Sequence, residues 1–390
     1  MAARKPKVLF VDDEPETVEP LASQAGGAVD VSVRHPEDIE LSDVKAVDLI
    51  LVDHRLTKWD ARDELVSAAL RPSNGLALAA VLRAHAEGQS EEDQRPTAIA
   101  VLSGHLSDLS SGLPAESREH AIARVNDLEW VFEKAQRESE HRAGLFPLQV
   151  NQLALAVTRL PASWPVDQIQ ETQKILFDDL LSLPEKVWRQ TAIEDVLGCH
   201  PPIHELSRWS HGRALLRWCL HRVLPYPCFL WDDTYLAARL RVTKPSIIAA
   251  LRSEARLREL LESARYTGIL SEFLGRRWWR AGVESILWEL TDGRPFVPDV
   301  VVSALNALSP EAPLAQVNED QPVVCVDDRF RPIDDFATPE TAVRIQPDDW
   351  PPFADQAWVT IQAATANATL GALVIESDRS KLPNNDAQRG

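Results

Sequence analysis

The sequence predicts an α/β protein. A doubly wound parallel sheet should occupy the N-terminal third, followed by a mainly helical, Trp-rich domain and a small β or α+β module. Three observations carry this prediction. Four short apolar runs among the first 140 residues each stop at polar residues and alternate with helical patterns. Ten of the twelve tryptophans lie beyond residue 140. From about residue 295 the texture changes to brief β-like runs broken by Pro and Asp.

The first run is Val8–Val11, which ends at Asp12-Asp13 and breaks at Glu14-Pro15. The second, "VDLILV" (47–52), stops at Asp53. A helical pattern, "NGLALAAVLRAHAEG" (74–88), leads to the third run, "TAIAVLS" (97–103), which stops at Ser103-Gly104. The fourth, "LEWVF" (128–132), is followed by Glu133-Lys134. Short apolar strands separated by helices imply right-handed βαβ crossovers and a parallel sheet covered on both faces. In such a sheet the carboxyl ends of the strands line the site crevice. Asp12, Asp13, Asp53, Ser103 and Lys134 all fall there.

That set is chemically coherent. Two adjacent carboxylates repel one another unless a cation lies beside them. Mg²⁺ takes oxygen ligands and keeps several waters, so Asp12, Asp13 and Asp53 are its expected ligands. A hydroxyl (Ser103) and an ammonium (Lys134) suit the oxygens of a phosphoryl group. An Asp carboxylate can itself accept that group as an aspartyl-phosphate.

Over roughly residues 5–138 the chain resembles the response-regulator receiver domains, the CheY-like family. The acid pair of that family matches Asp12 and Asp13. Its phospho-accepting Asp matches Asp53, its Ser/Thr matches Ser103 in "VLSGH", and its Lys matches Lys134 in "WVFEK". The resemblance implies a two-component or phosphorelay protein that takes a phosphoryl group on Asp53 from a histidine kinase or phosphotransfer protein, with Mg²⁺ as cofactor. Several positions depart from the family pattern. No Pro follows soon after Asp53. The segment 58–73 is extra and precedes Asn74-Gly75, which resembles the family's Asp-Gly. A second excess lies at 110–121. Ala135 stands where Pro usually follows the Lys, and Val131 occupies the aromatic switch position. These departures spare the phosphorylation residues and alter the signalling face.

Beyond residue 140 the resemblance stops. The expected division is a receiver at 1–140, a helical domain at 141–292, a β-containing module at 293–379 and a disordered tail at 380–390. "RAGLFPLQ" (142–149) reads as a linker. "RRWWRAGVESILWEL" (276–290) places Trp279, Val283, Ile286, Leu287 and Leu290 on one helical face. "YLAARLRVTKPSIIAAL" (235–251) has the outline of a helix-turn-helix, with arginines nearby for phosphates. Its turn carries Arg241 where Gly is usual, and its second helix offers few donors for base edges. Cys199, His200, His204 and His211 cluster in sequence, but Pro201-Pro202 keeps one helix from presenting both His200 and His204. No GxSxG, HExxH or P-loop pattern occurs, so no hydrolase or NTPase motif supports an enzymatic reading.

The apolar share of 45% and the charged share of 26% are those of a globular protein. No transmembrane run or secretory signal is evident, and four irregularly spaced cysteines fit reduced thiols, so a cytoplasmic protein is expected. The net charge of −18 is uneven, with residues 1–140 at −12, 291–390 at −9 and 141–290 at +3. An acidic receiver and a mildly basic middle are compatible with intramolecular docking. The sequence reading is therefore a phospho-acceptor with at most self-dephosphorylation and a non-standard output. Three alternatives stay open: a DNA-binding regulator through 235–251, a phosphate sink without output, and a receiver-gated enzyme.

Overall fold

The computed structural model describes residues 4–60, 72–87, 96–110, 118–134, 144–161, 164–165, 168–206, 212–317 and 321–383. Most of the extra segment 58–73, the middle of 110–121, His211 and residues 384–390 of the expected tail lie outside them. The chain forms two compact units. One comprises Met1–Leu183, Pro201–Pro225 and Thr267–Gly275; the other comprises Pro184–His200, Tyr226–Tyr266 and Arg276–Gly390.

The first unit is built on a five-stranded parallel sheet. Its elements run β1 (Lys7–Val11), α1 (Pro15–Ala25), β2 (Asp30–Arg34), α2 (Leu41–Ala46), β3 (Leu49–Asp53), α3 (Gly75–Glu87), β4 (Ala98–Ser103), α4 (Glu119–Val125) and β5 (Trp130–Glu133). The strand order is β2-β1-β3-β4-β5. The sheet with its flanking helices is compatible with a receiver-like, doubly wound fold. Val8–Val11, Leu49–Val52 and Ala98–Leu102 are at most 1% exposed. Such unbroken apolar runs are what a sheet buried on both faces requires. Alternate residues serve opposite faces. Leu9, Val11, Ile50, Val52, Ile99, Val101 and Val131 pack with Val44, Leu78, Leu82 and Ile122 from α2, α3 and α4.

The sequence reading missed β2. "DVSVR" is an edge strand with no fully buried residue, so its apolar signal is weak. The expected linker at 142–149 is also corrected. Helix α5 (Leu145–Arg159) starts there, buries Phe146, Val150, Leu153, Ala154 and Val157, and packs against α1 and the sheet.

Later segments complete this unit: α6 (Ile169–Lys174), continued by a π-helical turn at Ile175–Leu180, and two further helices, named below with their neighbour α7 (Arg189–Gly198) of the second unit. These are α8 (Ile203–Leu206) and α9 (Arg213–Trp218), the latter running into a second π-helical turn, Cys219–Val223. Residues of α5, of the second π-helical turn and of segment 267–275 lie against β5 and Glu129 just before it. Trp130 meets Phe273 edge-on with ring centres 4.9 Å apart, and Phe132 meets Phe146 at 5.3 Å. Gln149 Nε2 donates to the Phe273 carbonyl at 3.1 Å, and His221 Nε2 donates to the Glu129 carbonyl at 2.9 Å.

The second unit holds α7, β6 (Leu230–Trp231), α10 (Asp233–Arg239), α11 (Lys244–Ser253), α12 (Ala255–Glu262), β7 (Trp278–Trp279), α13 (Arg280–Leu290) and α14 (Pro298–Ala307). Helices α10 to α14 enclose one apolar cluster around Leu240, Val242, Ile247, Leu251, Leu261, Trp278 and Leu287. The helix expected at 276–290 begins only at Arg280, because Trp278 and Trp279 pair with β6 as a short antiparallel ribbon. The region from residue 293, expected to be a small β or α+β module, opens with α14, whose Val301, Val302 and Leu305 join the helical cluster. The antiparallel pairs β8 (Val323–Val326) with β9 (Pro332–Ala337) and β10 (Ala342–Ile345) with β11 (Ala357–Thr360) follow, then α15 (Ile361–Ala366) and α16 (Ala368–Ala372).

Segment 235–251 does form two helices with a tight turn, α10 and α11. Arg241 takes φ +60° in that turn, the left-handed region where Gly is least costly. Its cations are engaged within the unit: Arg239 pairs twice with Glu284 at 2.6 Å, and Lys244 with Asp334 at 2.8 Å. Among the described residues, no helix is long and apolar enough to cross a membrane.

Candidate metal and phosphoryl site

The carboxyl ends of β1, β3 and β5 bring four of the five sequence-selected residues into one cluster. Asp12 and Asp13 leave β1 directly. The Asp12 amide donates to the Arg34 carbonyl at 3.2 Å, extending the β1–β2 ladder and fixing where the pair begins. Asp53 is the last residue of β3, held in register opposite Leu102 of β4. One ligand oxygen from each of Asp12, Asp13 and Asp53 lies within 4.8 Å of the others, and all three residues are buried. Lys134, just past β5, pairs its ammonium with Asp53 Oδ1 and lies 3.6 Å from Asp12 Oδ2.

Ser103 is placed at the end of β4, one residue past the Asp53 partner Leu102, but its hydroxyl faces its own loop. Its Oγ donates to the His105 carbonyl at 2.8 Å and accepts from the His105 amide at 3.3 Å.

Backbone amides arrange the carboxylates. Asp12 Oδ1 accepts from Glu14 N at 2.9 Å, Asp53 Oδ2 from Arg55 N at 3.0 Å, and Asp13 Oδ2 from Lys58 N. One oxygen is left over: Asp12 Oδ2 is buried and has no hydrogen-bond partner. Burial, joined by the charges of Asp53 and Asp13, raises the Asp12 carboxyl to about 6, against the opposing pull of Glu14 N–H and Lys134. An orphaned acceptor in a nest of three carboxylates fits a hard divalent cation, which would satisfy it and relieve the repulsion. Among the described residues this is the one group of three or more His, Cys, Asp or Glu side chains so arranged.

Three further features escaped the sequence reading. Arg55 reaches Asp108 Oδ2 through Nε at 3.2 Å and Nη2 at 2.8 Å, tying the loop after β3 to the loop after β4. His54 is 9% exposed with Nδ1 unpartnered, and burial lowers its imidazole pKa. Gly75 packs so closely that a Cβ would stand 2.0 Å from the Asp53 carbonyl oxygen. Its amide donates to the His54 carbonyl at 2.8 Å. The "NG" dipeptide (74–75) is a visible signal for this approach; Arg55 and the Lys58 amide carry none, since one is a lone loop cation and the other is backbone. Compared with models of known families and with curated proteins, the sequence matches none.

Proposed function

We propose that the first unit is a phosphoryl-accepting receiver whose acceptor is Asp53 and whose donor is a histidine kinase or phosphotransfer protein. The observation that supports this best is the Lys134 ammonium set between Asp53 and Asp12, whose buried Oδ2 has no hydrogen-bond partner. In this reading an Asp53 carboxylate oxygen attacks phosphorus, the bond to the donor nitrogen breaks, and an aspartyl-phosphate forms. Lys134 is then already in place to pair with a phosphoryl oxygen. The Ser103 hydroxyl, released from the His105 carbonyl, donates to another. Asp12, Asp13 and Asp53 would hold Mg²⁺, which when bound would supply charge neutralisation for the phosphoryl oxygens. The Arg55–Asp108 pair stays outside the reaction and orders the loop that carries the amide donor to Asp53.

The test is labelling by a small acyl phosphate with Mg²⁺, read on phosphate-affinity gels. Wild type is expected to shift and Asp53→Ala is expected not to; equal labelling of the two would overturn the assignment. Asp12→Asn retains the acceptor but loses a charge from the cation site, so its labelling should need more Mg²⁺.

A further inference from the structure

Segments of the second unit that are far apart in sequence meet around a cavity of about 280 Å³. Its walls come from α10, β8, β11 and the end of β6. Three aromatic side chains stand in them: Trp231 at the end of β6, Tyr235 on α10 and Trp358 in β11. Tyr235, Ala238 and Arg239 are spaced three and four residues apart, so one face of α10 lines the cavity. The volume lies at the small end of ligand sites, which run from roughly 300 to 1,000 Å³. It suits one fused-ring molecule rather than a nucleotide or a peptide.

Two of the three charged residues in the walls are matched within the unit. Arg239 gives Nε and Nη2 to Glu284, both at 2.6 Å, and Nη1 to the Pro295 carbonyl at 3.0 Å. Asp355 accepts from Arg280 Nη1 and from Trp231 Nε1, each at 3.2 Å. The third is Arg241, and among the described residues no second carboxylate lines the cavity. Nothing there is left over for a cationic ligand. The Trp358 ring already serves two cations, with the Arg344 guanidinium 5.8 Å and the Lys381 ammonium 6.0 Å from its centre.

Tyr235 is different. Its hydroxyl is buried and has no hydrogen-bond partner, whereas a buried phenol normally finds one. Trp231 has given its indole N–H to Asp355, so Tyr235 is the aromatic wall residue with a donor still to place. We propose that this cavity binds an uncharged, planar heteroaromatic molecule. The ligand's ring system packs against Trp231 and Trp358, and an acceptor atom on it takes the hydrogen bond of the Tyr235 hydroxyl.

Quinoline is the probe, since it is a fused ring with one acceptor nitrogen and is uncharged at neutral pH. Its binding to the full chain is followed by ligand-observed NMR titration. Naphthalene serves as the ring without an acceptor, quinaldate as the anionic analogue and N-methylquinolinium as the cationic one. Wild type should bind quinoline most tightly of the four. Tyr235→Phe should weaken quinoline roughly tenfold, the worth of one hydrogen bond, and leave naphthalene unchanged. With no partner to lose, this variant should keep the thermal midpoint of the free protein, which separates the effect from misfolding. Ala238→Leu fills the cavity and should abolish binding of all four. The proposal is overturned if quinoline shows no saturable binding, or if either charged analogue binds as tightly. Undiminished quinoline affinity in Tyr235→Phe or in Ala238→Leu would overturn it equally.

Discussion

At the scale of single residues, Gly75 shows how tightly the site is assembled. A methyl group added there would overlap the Asp53 carbonyl, which is backbone and cannot rotate away. Gly75→Ala is expected to cost about 3 kcal/mol, the upper end of ordinary overpacking, and to impair labelling of Asp53. Urea midpoints and phosphate-affinity gels read the two effects; wild-type behaviour in both would contradict the close approach. The side chains of the site were legible in the sequence because each polar residue ends an apolar run: Asp12 after Val11, Asp53 after Val52, Lys134 shortly after Phe132. The amides of Glu14, Arg55 and Lys58 that hold the carboxylates were not, since a backbone donor leaves no compositional trace. Nor does sequence tell which way the Ser103 hydroxyl turns.

At the scale of elements, the buried carboxylate Glu129 joins α3, β4, β5 and α9. It accepts from Arg83 Nη2 at 3.2 Å, Arg217 Nε at 2.8 Å and Ile99 N at 2.6 Å. Burial alone would raise this carboxyl, but Arg83, Arg217, Arg213 and the Ile99 amide outweigh it and bring the pKa from 4.5 to about 2. A lowered carboxyl pKa means stability that is full above about 4.5 and lost as pH falls toward 2, amounting to about 3 kcal/mol. His221 acts in the window above: burial lowers it from 6.5 to about 4, so the folded state refuses a proton that the unfolded chain accepts. Stability is therefore expected to decline first between pH 6.5 and 4, then further below 4.5. Glu129→Gln should cost about 3 kcal/mol at neutral pH, because two guanidinium groups lose their carboxylate. It should also flatten the lower limb of a plot of urea midpoint against pH; an unchanged limb would exclude Glu129 as its source. The strands at this junction were legible from apolar runs. The partnership with Arg217 was not, for 88 residues separate the two and nothing local marks the pairing.

At the scale of the whole molecule, the proposed phosphorylation of Asp53 carries a further expectation, drawn from the charge asymmetry of the sequence, that it is read within the chain. The supporting contacts are those between β5 and later segments: Phe146, Phe273 and His221 lie against Phe132, Trp130 and Glu129. Hydrogen exchange on the full chain, with and without phosphodonor, should show changes in 145–159, 213–223 and 267–275 as well as around Asp53. Changes confined to residues 1–140, accompanied by phosphate-dependent dimers, would contradict an internal readout.

The interleaving of the two units also sets an order of events on the ribosome. Trp130 and Glu129 emerge long before the residues that cover them, Phe273 and Arg217. At about 5–20 residues per second, the roughly 140 residues between β5 and Phe273 take on the order of 10–30 s to synthesise. Until Arg217 has been made, Glu129 has only part of its cation shell, and until Phe273 has been made, Trp130 of the edge strand lacks its ring partner. Such an edge is open to pairing with other chains. The protein is thus one whose early half waits for its late half, since the cover of β5 is complete only once Phe273 has been made.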